Sequence, residues 1–540
     1  MPQLTINGKV CDFDQGQSIL EVALANEEAI PHYCWHESLS VVANCRICLG
    51  EVWAPNPRNE GKLEAWPKLV PTCQTPCSEG MVVHTDSPKA IGNQKSVMEY
   101  LLINHPVDCP VCDQAGECHL QDYAYQYGRA ESRFLEAKIK APKKDIGEHV
   151  LLYSDRCIMC TRCVRFTQEI TGTGELIVDG RGATEQIDVF PGMGLDNELS
   201  ANVVDLCPVG ALLDKDFLFK KRVWFLTKTP SIDGLTASGD NLTIEHAEGS
   251  VHRFKPRPNP AINRFWITDE VRYGWKFVHS EDRINMPSVA GMDPWEDEQA
   301  NEAWMTALTT AAETLRGKKV GVVLSPMLPT EEAFRIAEAA QALGQEVVFG
   351  LGPVPMHGAD KTFKDGFVLR AEKAPHARGV RAAVGTLGDV HEWNQFLQAV
   401  DGCEALLVTG NYPSAWCEGD ALTKLTSKPM VCVDTLHSPL TEAATVVLPG
   451  ATWMEKSGCF TNATGTVQAF ERAIKPVDFA KCEGWIAEQL LAESHGNAAE
   501  VFHPCAVRER LADAGLSQFA NVVVPEAHRA VESDMTTVEI

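Results

Sequence analysis

The chain has 540 residues, 44% of them hydrophobic, and a formal net charge of -25 at pH 7. This length allows three or four domains with buried cores, and the acidic balance argues against a nucleic-acid partner, because phosphate binding needs a net basic face. No run reaches the roughly 18 apolar residues of a spanning helix, and no secretory leader pattern opens the sequence. We therefore expect neither secretion nor membrane insertion.

Cysteine is concentrated in the first part of the chain. Thirteen of the 19 cysteines lie at or before position 207, and the other six are scattered between positions 403 and 505. In a large chain of a reducing compartment, clustered thiols are metal ligands more often than disulfides. We expect metal centres in the first 210 residues and ordinary buried thiols after them.

The first 30 residues predict a small β-grasp, ferredoxin-like unit. Two short strands flank Asn7-Gly8, a dipeptide suited to a two-residue hairpin turn. Ser18 and Glu21 then form a capping-box pattern, which opens a helix with Leu20, Ala23 and Leu24 on one face.

A first group of possible ligands follows this helix. Its members are Cys34, Cys45, Cys48 and Cys73. Two cysteines two residues apart can reach one metal centre, and the irregular loop before them can wrap a small cluster. The spacing is looser than that of plant-type ferredoxins, so zinc remains an alternative. Cys77 competes with Cys73 as the fourth ligand, whereas Cys11, on a hairpin strand, is expected in the core.

A second group contains a histidine. Residues 91–104 predict a helix that ends before Pro106, with Val97, Leu101 and Tyr100 toward the interior. The candidate ligands that follow are His105, Cys109, Cys112 and Cys118. A neutral imidazole in place of a thiolate removes negative charge from the ligand shell, which by itself raises the reduction potential of a cluster.

The third group has the most specific spacing in the chain. Its members are Cys157, Cys160 and Cys163, with a remote Cys207-Pro208. This is the bacterial ferredoxin pattern for a 4Fe-4S cluster, and the cysteines that a second cluster would need are missing. Three arginines, Arg156, Arg162 and Arg165, flank the group. They either donate hydrogen bonds toward the cluster or a partner, or are ordinary surface arginines.

The rest of the chain changes character. Residues 223–270 predict an irregular β-rich segment with Trp224, Phe225, Phe265 and Trp266 in its core. Strands at 320–324, 347–349, 405–408, 430–433 and 445–448, with a helix at 330–343, then indicate parallel α/β structure. Neither a G-x-G-x-x-G nor a G-x-x-x-x-G-K-[ST] phosphate loop occurs there.

The cysteine motifs resemble those of the large iron–sulfur subunit of respiratory complex I, NADH:quinone oxidoreductase. The resemblance is carried by YCWH at 33–36, NCRIC at 44–48, NHPVDCPVCDQAGECHLQD at 104–122, RCIMCTRCVRF at 156–166 and CPVGAL at 207–212. It implies a 2Fe-2S cluster on the first group, with Cys73 rather than Cys77, and one 4Fe-4S cluster on each of the other two groups.

A weaker resemblance to the molybdopterin oxidoreductase fold covers residues 221–475, with LPGATWMEKSGCFTN at 448–462 as its main segment. The chain is short for this family, so part of that fold is expected to be missing. Some bacterial relatives have another 4Fe-4S site on a CxxCxxxC run here. Because residues 226–233 contain no cysteine, we expect that cluster to be absent.

Together, these observations predict a multidomain α+β and α/β protein. The expected parts are a β-grasp 2Fe-2S ferredoxin-like domain (1–80), a helical His-Cys 4Fe-4S segment (81–127), a linker (128–148), a 4Fe-4S ferredoxin-like domain (149–220), a truncated molybdopterin-oxidoreductase-like α/β domain without cofactor (221–475) and a C-terminal segment of unknown role (476–540).

The complex I resemblance implies a relay of single electrons from a flavin on a partner subunit, through three clusters, toward quinone. The chain itself is expected to have no catalytic residue and to bind no molybdopterin, flavin or NAD. The implied partners are the flavin/NADH-binding subunit, a small 2Fe-2S subunit and quinone-side subunits of the peripheral arm, on the cytoplasmic face of the bacterial inner membrane. The alternatives are a relay subunit of an NAD-linked formate dehydrogenase or hydrogenase, and a zinc-stapled scaffold.

Overall fold

The computed structural model describes residues 1–525. Their contacts define two units: unit 1 comprises Met1–Phe225 and Phe363–Asp365, and unit 2 comprises Leu226–Thr362 and the described residues from Gly366 onward. None of the described helices combines the length and the apolar composition that crossing a bilayer requires.

Unit 1 begins with a β-grasp sheet. Its elements are β1 (Gln3–Ile6), β2 (Lys9–Asp12), α1 (Ile19–Ala25), β3 (Leu49–Asn56), β4 (Lys62–Ala65), β5 (Val70–Pro71) and β6 (Val82–His84). The strand order is β2-β1-β6-β3-β4, with β5 beside β3, and β1 runs antiparallel to β2 but parallel to β6. Alternate apolar side chains of β1 and β6 pack against α1 in one core.

The predicted hairpin turn and helix start are both confirmed. Asn7 and Gly8 have φ angles of 48° and 87°, the left-handed values that such a turn requires. The Ser18 hydroxyl accepts a hydrogen bond from the backbone N–H of Glu21, and the Glu21 carboxylate accepts one from the N–H of Ser18. Leu24, expected on the buried face, is instead exposed near the end of this seven-residue helix.

The remainder of unit 1 is built from short elements. They are α2 (Pro88–Leu102), α3 (His119–Tyr127), β7 (Lys143–Asp145), β8 (Val150–Tyr153), α4 (Arg162–Phe166), β9 (Leu176–Asp179), β10 (Gln186–Val189), α5 (Asn202–Leu206) and β11 (Leu212–Asp214). The order β11-β8-β7 forms one sheet, and β9 and β10 form a hairpin. The predicted helix is confirmed as α2, but the interior position of Tyr100 is wrong, since this side chain is 67% exposed.

Unit 2 is mainly an α/β domain. Its elements are β12 (Thr227–Ile232), β13 (Asn241–Ala247), β14 (Ser250–Pro256), α6 (Asp269–Tyr273), β15 (Ser288–Val289), α7 (Ala300–Leu315), β16 (Lys319–Leu324), α8 (Thr330–Leu343), β17 (Glu346–Leu351), β18 (Lys361–Thr362), β19 (Val368–Leu369), α9 (Ala377–Val384), β20 (Val390–His391), α10 (Trp393–Ala399), β21 (Ala405–Thr409), α11 (Gly419–Thr426), β22 (Met430–Asp434), α12 (Pro439–Glu442), β23 (Val446–Pro449), β24 (Gly458–Thr461), β25 (Val467–Phe470), α13 (Glu483–His495) and α14 (Pro504–Asp513).

The central sheet of unit 2 confirms the predicted parallel architecture. Its order is β15-β23-β22-β21-β16-β17-β20, and every pair is parallel except β15 with β23. The strands are continuous apolar runs because helices cover the sheet. The predicted β-rich segment is the antiparallel sheet β12-β13-β14.

Two expectations about side chains are wrong. Trp224 and Phe225 are 53% and 57% exposed rather than in a core, because they lie in a short turn before β12, whereas Trp266 is buried as expected. Of the six later cysteines, Cys482 is only half-buried and Cys505 is exposed at the start of α14.

Candidate metal centres

The structure brings the first four cysteines together. The Sγ atoms of Cys48 and Cys73 lie 3.7 Å apart, and the Cys34 thiol forms hydrogen bonds with the thiols of Cys45 and Cys73. The loop before β3 turns sharply at Ala43 and Arg46, whose φ angles of 49° and 58° are left-handed. This curvature turns the loop cysteines toward the segment that follows β5.

Cys77 lies outside this group. The charged groups that act on its thiol are Glu21 and Cys11, and Cys11 is itself buried in the β-grasp core. The Thr72 hydroxyl, by contrast, donates a hydrogen bond of 2.9 Å to the Cys48 carbonyl. This bond holds the segment of Cys73 beside the loop, where the Cys73 thiol lies close to that of Cys48.

Hydrogen bonds among these thiols make their proton affinities unequal. The bond from Cys45 lowers the pKa of Cys34, and the bond from Cys73 lowers the pKa of Cys48. The bond to Cys34 raises the pKa of both Cys45 and Cys73. Because thiolates are the metal-binding form, loading such a group with metal releases the shared protons.

The residues of the second group lie in the loop between α2 and α3. Cys109 opens a short 3-10 turn, and Cys118 is the residue that precedes α3. The charges of Cys109 and Asp108 act on Cys112, and the charge of Cys112 acts on Cys118. Asp108 also acts on His105, so the same carboxylate lies near the histidine and near one of the three thiols.

His105 has the properties of a metal ligand. Its Nδ1 atom is buried and has no hydrogen-bond partner. Burial lowers the pKa of His105 to about 4, so the imidazole is neutral, the form that binds metals. Burial also raises the pKa of Cys118 to about 11, which means that its thiolate needs a positive charge beside it.

Glycines make room around this loop. A Cβ atom on Gly210 would lie 2.3 Å from the Cys112 Sγ, and one on Gly116 would lie 2.8 Å from the Val223 side chain. Gly210 belongs to the segment that follows Cys207, so the second group depends on a residue of the third motif.

The four cysteines of the third group line one cavity together with apolar side chains such as Leu152, Ile187 and Leu212. Met159 and Thr161, between the cysteines, have left-handed φ angles of 53° and 59°. Burial raises the pKa of all four thiols. The thiolate form in this buried site therefore requires compensating positive charge, such as that of metal atoms bound to the sulfurs.

Backbone donors are already arranged around Cys207. The N–H groups of Val209, Leu212 and Ala211 form hydrogen bonds with its sulfur and lower its pKa, which opposes the larger effect of burial. Such N–H donors to ligand sulfurs are among the factors that set the potential of an iron–sulfur cluster. The donor set thus fits an anionic cluster.

The three groups have features that suit a polynuclear metal group. Within residues 1–525, no three His, Cys, Asp or Glu side chains are arranged to hold one metal ion. An iron–sulfur cluster distributes its ligands over several metal atoms. Thiols around a cavity, left-handed turns in the cysteine loops and the unpaired His105 Nδ1 all fit such a polynuclear group.

The flanking arginines are not surface residues. Arg156, Arg162 and Arg165 are all buried. Arg156 forms an ion pair of 2.5 Å with Asp108 beside the second group, while the other two donate to backbone carbonyls. Sequence spacing could not show this, because these acceptors lie more than 40 residues away in the chain.

The three groups adjoin one another within unit 1. Arg165 donates hydrogen bonds to the carbonyls of both Cys34 and Cys160. The backbone N–H of His119, next to Cys118, donates to the carbonyl of Pro208, next to Cys207. The proposed ligands thus belong to one continuous assembly rather than to separate sites.

Family models match five consecutive parts of the chain. They are a 2Fe-2S iron–sulfur cluster binding domain (2–88), the NADH-ubiquinone oxidoreductase-G iron–sulfur binding region (94–133), the ferredoxin-like domain of NADH-quinone oxidoreductase subunit 3 (147–213), the 4Fe-4S domain of NADH-ubiquinone oxidoreductase NDSU1/NuoG-like proteins (226–276) and molybdopterin oxidoreductase (376–493). These matches confirm the predicted fold class.

Curated relatives confirm the resemblance to the large iron–sulfur subunit. An NADH-quinone oxidoreductase subunit of Rickettsia felis is 35% identical over 347 residues, which are 64% of this chain and 49% of the relative. The mitochondrial NADH-ubiquinone oxidoreductase 78 kDa subunit of Neurospora crassa is 38% identical over 348 residues, 64% of this chain and 45% of the relative. The chain thus spans about half the length of these relatives.

Two further findings complete the comparison. An NAD+-reducing NiFe-hydrogenase structure has a TM-score of 0.35 and 29% identity, over 41% of this chain and 91% of that one. The 4Fe-4S family match at 226–276 covers a segment without any cysteine. That segment keeps the strands β12 to β14 but lacks thiol ligands.

Proposed function

We propose that this chain, similar to the large iron–sulfur subunits of NADH:quinone oxidoreductases, is an electron-transfer subunit of such a complex. It would relay single electrons from a flavin on a partner subunit toward quinone. The observation that carries this proposal is the cavity lined by the four cysteines of the third group, beside which Arg165 joins their loop to the loop of Cys34. Bound iron–sulfur clusters supply one-electron chemistry.

The ligand assignment follows from these groups. One 2Fe-2S cluster would be held by Cys34, Cys45, Cys48 and Cys73, one 4Fe-4S cluster by His105, Cys109, Cys112 and Cys118, and a second by Cys157, Cys160, Cys163 and Cys207. The protein would hold these ligands in fixed positions, limit the access of water and donate N–H groups toward sulfur. We propose no catalytic residue in this chain.

We also propose that the chain binds no molybdopterin, flavin or NAD. Unit 2 carries neither of the phosphate-binding loop motifs, and the segment 226–276, which matches a 4Fe-4S family, has no thiol. The proposed partners are the flavin-bearing subunit, a small 2Fe-2S subunit and quinone-side subunits of a peripheral arm at the cytoplasmic face of the membrane. The domain boundaries given above, at 80, 127, 148, 220 and 475, are part of this proposal.

Metal analysis with electron paramagnetic resonance (EPR) on the anaerobically purified chain tests the proposal. We expect about ten irons per chain, one binuclear and two cubane signals on reduction, and no molybdenum. Cys73→Ser should abolish the binuclear signal. Cys77→Ser is the matched control, since the same exchange four residues away should leave all three signals intact. Zinc in place of iron, or loss of the binuclear signal in the Cys77 variant alone, would overturn the assignment.

A further inference from the structure

Two buried arginines lie between the first and third cysteine groups. Arg162 and Arg165 are only 6% and 7% exposed. Both belong to α4, three residues apart, so they share one helix face. The left-handed Thr161 precedes them and links the helix directly to Cys160.

Each guanidinium bridges the two groups. Arg165 donates from Nη2 to the Cys34 carbonyl at 2.5 Å and to the Cys160 carbonyl at 3.2 Å. Arg162 donates from Nη2 to the Trp35 carbonyl at 2.6 Å and from Nη1 to the Leu206 carbonyl at 3.3 Å. Each side chain therefore joins the loop of Cys34 to a backbone segment that holds the third group.

Neighbouring residues also connect the loop of Cys34 to the segments around the third group. Ser40, in the loop of Cys34, donates from its backbone N–H and its hydroxyl to the Glu169 carboxylate at 2.8 and 2.5 Å. Asn44 donates to the Met159 carbonyl at 3.1 Å. The two loops would thus stay in contact without the arginines, so substitutions of the arginines test their charge and geometry rather than the fold alone.

The arginines face thiols rather than carboxylates. The charges that act on Arg162 are those of Cys160, Cys207, Cys34 and Arg165, in decreasing order. A buried cation is costly unless an anion compensates it. In both guanidinium groups, the Nε donor is buried and has no acceptor. Clusters with four thiolate ligands carry net negative charge and offer sulfur acceptors, so they would compensate both arginines.

We propose that Arg162 and Arg165 are positioning residues that hold the 2Fe-2S group and the 4Fe-4S group of Cys157 at a fixed spacing and raise the reduction potentials of both clusters. This inference rests on the proposed function. A cluster that accepts one electron gains one negative charge, and a buried cation beside it stabilises the reduced form more than the oxidised form.

Redox titration followed by EPR tests the inference on the full chain with its clusters loaded. In Arg162→Gln and Arg165→Gln, we expect the equilibrium constant for the reduction of both clusters to fall at least tenfold. For a one-electron step, a tenfold fall is a shift of about 59 mV to lower potential. The cluster of the His105 group should shift less. Arg58→Gln, which removes an exposed arginine beside the β-grasp sheet, should leave every potential unchanged.

Lysine variants separate charge from geometry. The planar guanidinium of Arg165 donates to the backbone carbonyls of Cys34, Ser40 and Cys160. Arg165→Lys keeps the positive charge, but a single ammonium group cannot reproduce this planar set of donors. We expect potentials close to those of the unaltered chain, with weaker magnetic coupling between the two clusters. If the glutamine variants fail to fold, the lysine variants decide, since unchanged coupling in both Arg162→Lys and Arg165→Lys would overturn the inference.

The outcomes distinguish the two proposals. An unaltered chain that loads no iron overturns the proposed function itself. An iron-replete chain whose glutamine variants keep full iron content and unshifted potentials overturns only the role of the arginines.

Discussion

Gly210→Ala should damage the His105 group although Gly210 follows the third motif. A Cβ atom there would lie 2.3 Å from the Cys112 Sγ and 3.1 Å from the Gln114 Cβ. The first distance is far below a van der Waals contact, so a ligand thiol or the backbone of Gly210 must move. The φ angle of Gly210 is not left-handed, so the effect is purely steric.

The expected loss of stability follows from the burial of this contact. Adding one methyl group to a well-packed site costs about 1–3 kcal/mol, and here the displaced atom belongs to a proposed cluster ligand. We expect the variant to lose the EPR signal of one cubane cluster and its four irons, while the 2Fe-2S signal is retained. The unfolding midpoint of unit 1 should fall accordingly.

The matched control is Gly92→Ala. Gly92 lies within α2, has no left-handed φ angle, and no atom lies within 4 Å of its added Cβ. Alanine is favoured over glycine in a helix by about 0.5–1 kcal/mol, so this variant should be as stable as the unaltered chain or more so. A Gly210→Ala protein with three complete signals and an unchanged midpoint would refute the reasoning.

Three further substitutions, one of them with a control substitution, have defined outcomes. His105→Cys adds a negative charge to the ligand shell, so the potential of that cluster should fall in a redox titration; a rise would contradict the ligand argument. Lys456→Met leaves Glu332 and Glu483 buried without their cation, so the free energy of unfolding of unit 2 should fall by about 3–5 kcal/mol. The control Lys475→Met, at an exposed position, should leave this free energy almost unchanged. Burial raises the pKa of Asp233 from 3.8 to about 6, so the folded protein binds this proton more tightly than the unfolded chain does. The stability gained from this proton is fully present below pH 3.8 and is lost as the pH rises through 6. The stability of the unaltered chain relative to Asp233→Asn should therefore fall by roughly 3 kcal/mol between pH 3.5 and 7, and a difference that stays constant in urea titrations would contradict this.

Local chemistry made much of the fold predictable. The left-handed pair Asn7-Gly8 and the reciprocal bonds of Ser18 with Glu21 depend on neighbouring residues, so the sequence pattern predicts them directly. The apolar strands of the parallel sheet are equally visible, because burial on both faces demands continuous apolar runs. The close spacing of the third group likewise limits which cysteines can face one cavity.

Long-range contacts escaped prediction. The burial of Arg162 and Arg165 depends on carbonyl acceptors more than 120 residues earlier in the chain, and no local pattern encodes that pairing. The apolar rings of Trp224 and Phe225 predict positions in a core, but both side chains are exposed because they lie in a short turn. The need for glycine at position 210 is likewise visible only once Cys112 is placed beside it.

The cysteine-free segment at 226–276 has a consequence for how the chain responds to iron supply. Ile244 and Phe254 of its strands share one core with Trp453, Phe460 and Phe470 from later in unit 2, and this core contains no thiol that would need a metal. The proposed ligands all lie in unit 1, where metal binding contributes to folding free energy. During iron starvation, we expect proteases to digest the first 225 residues while the second unit persists as a resistant fragment.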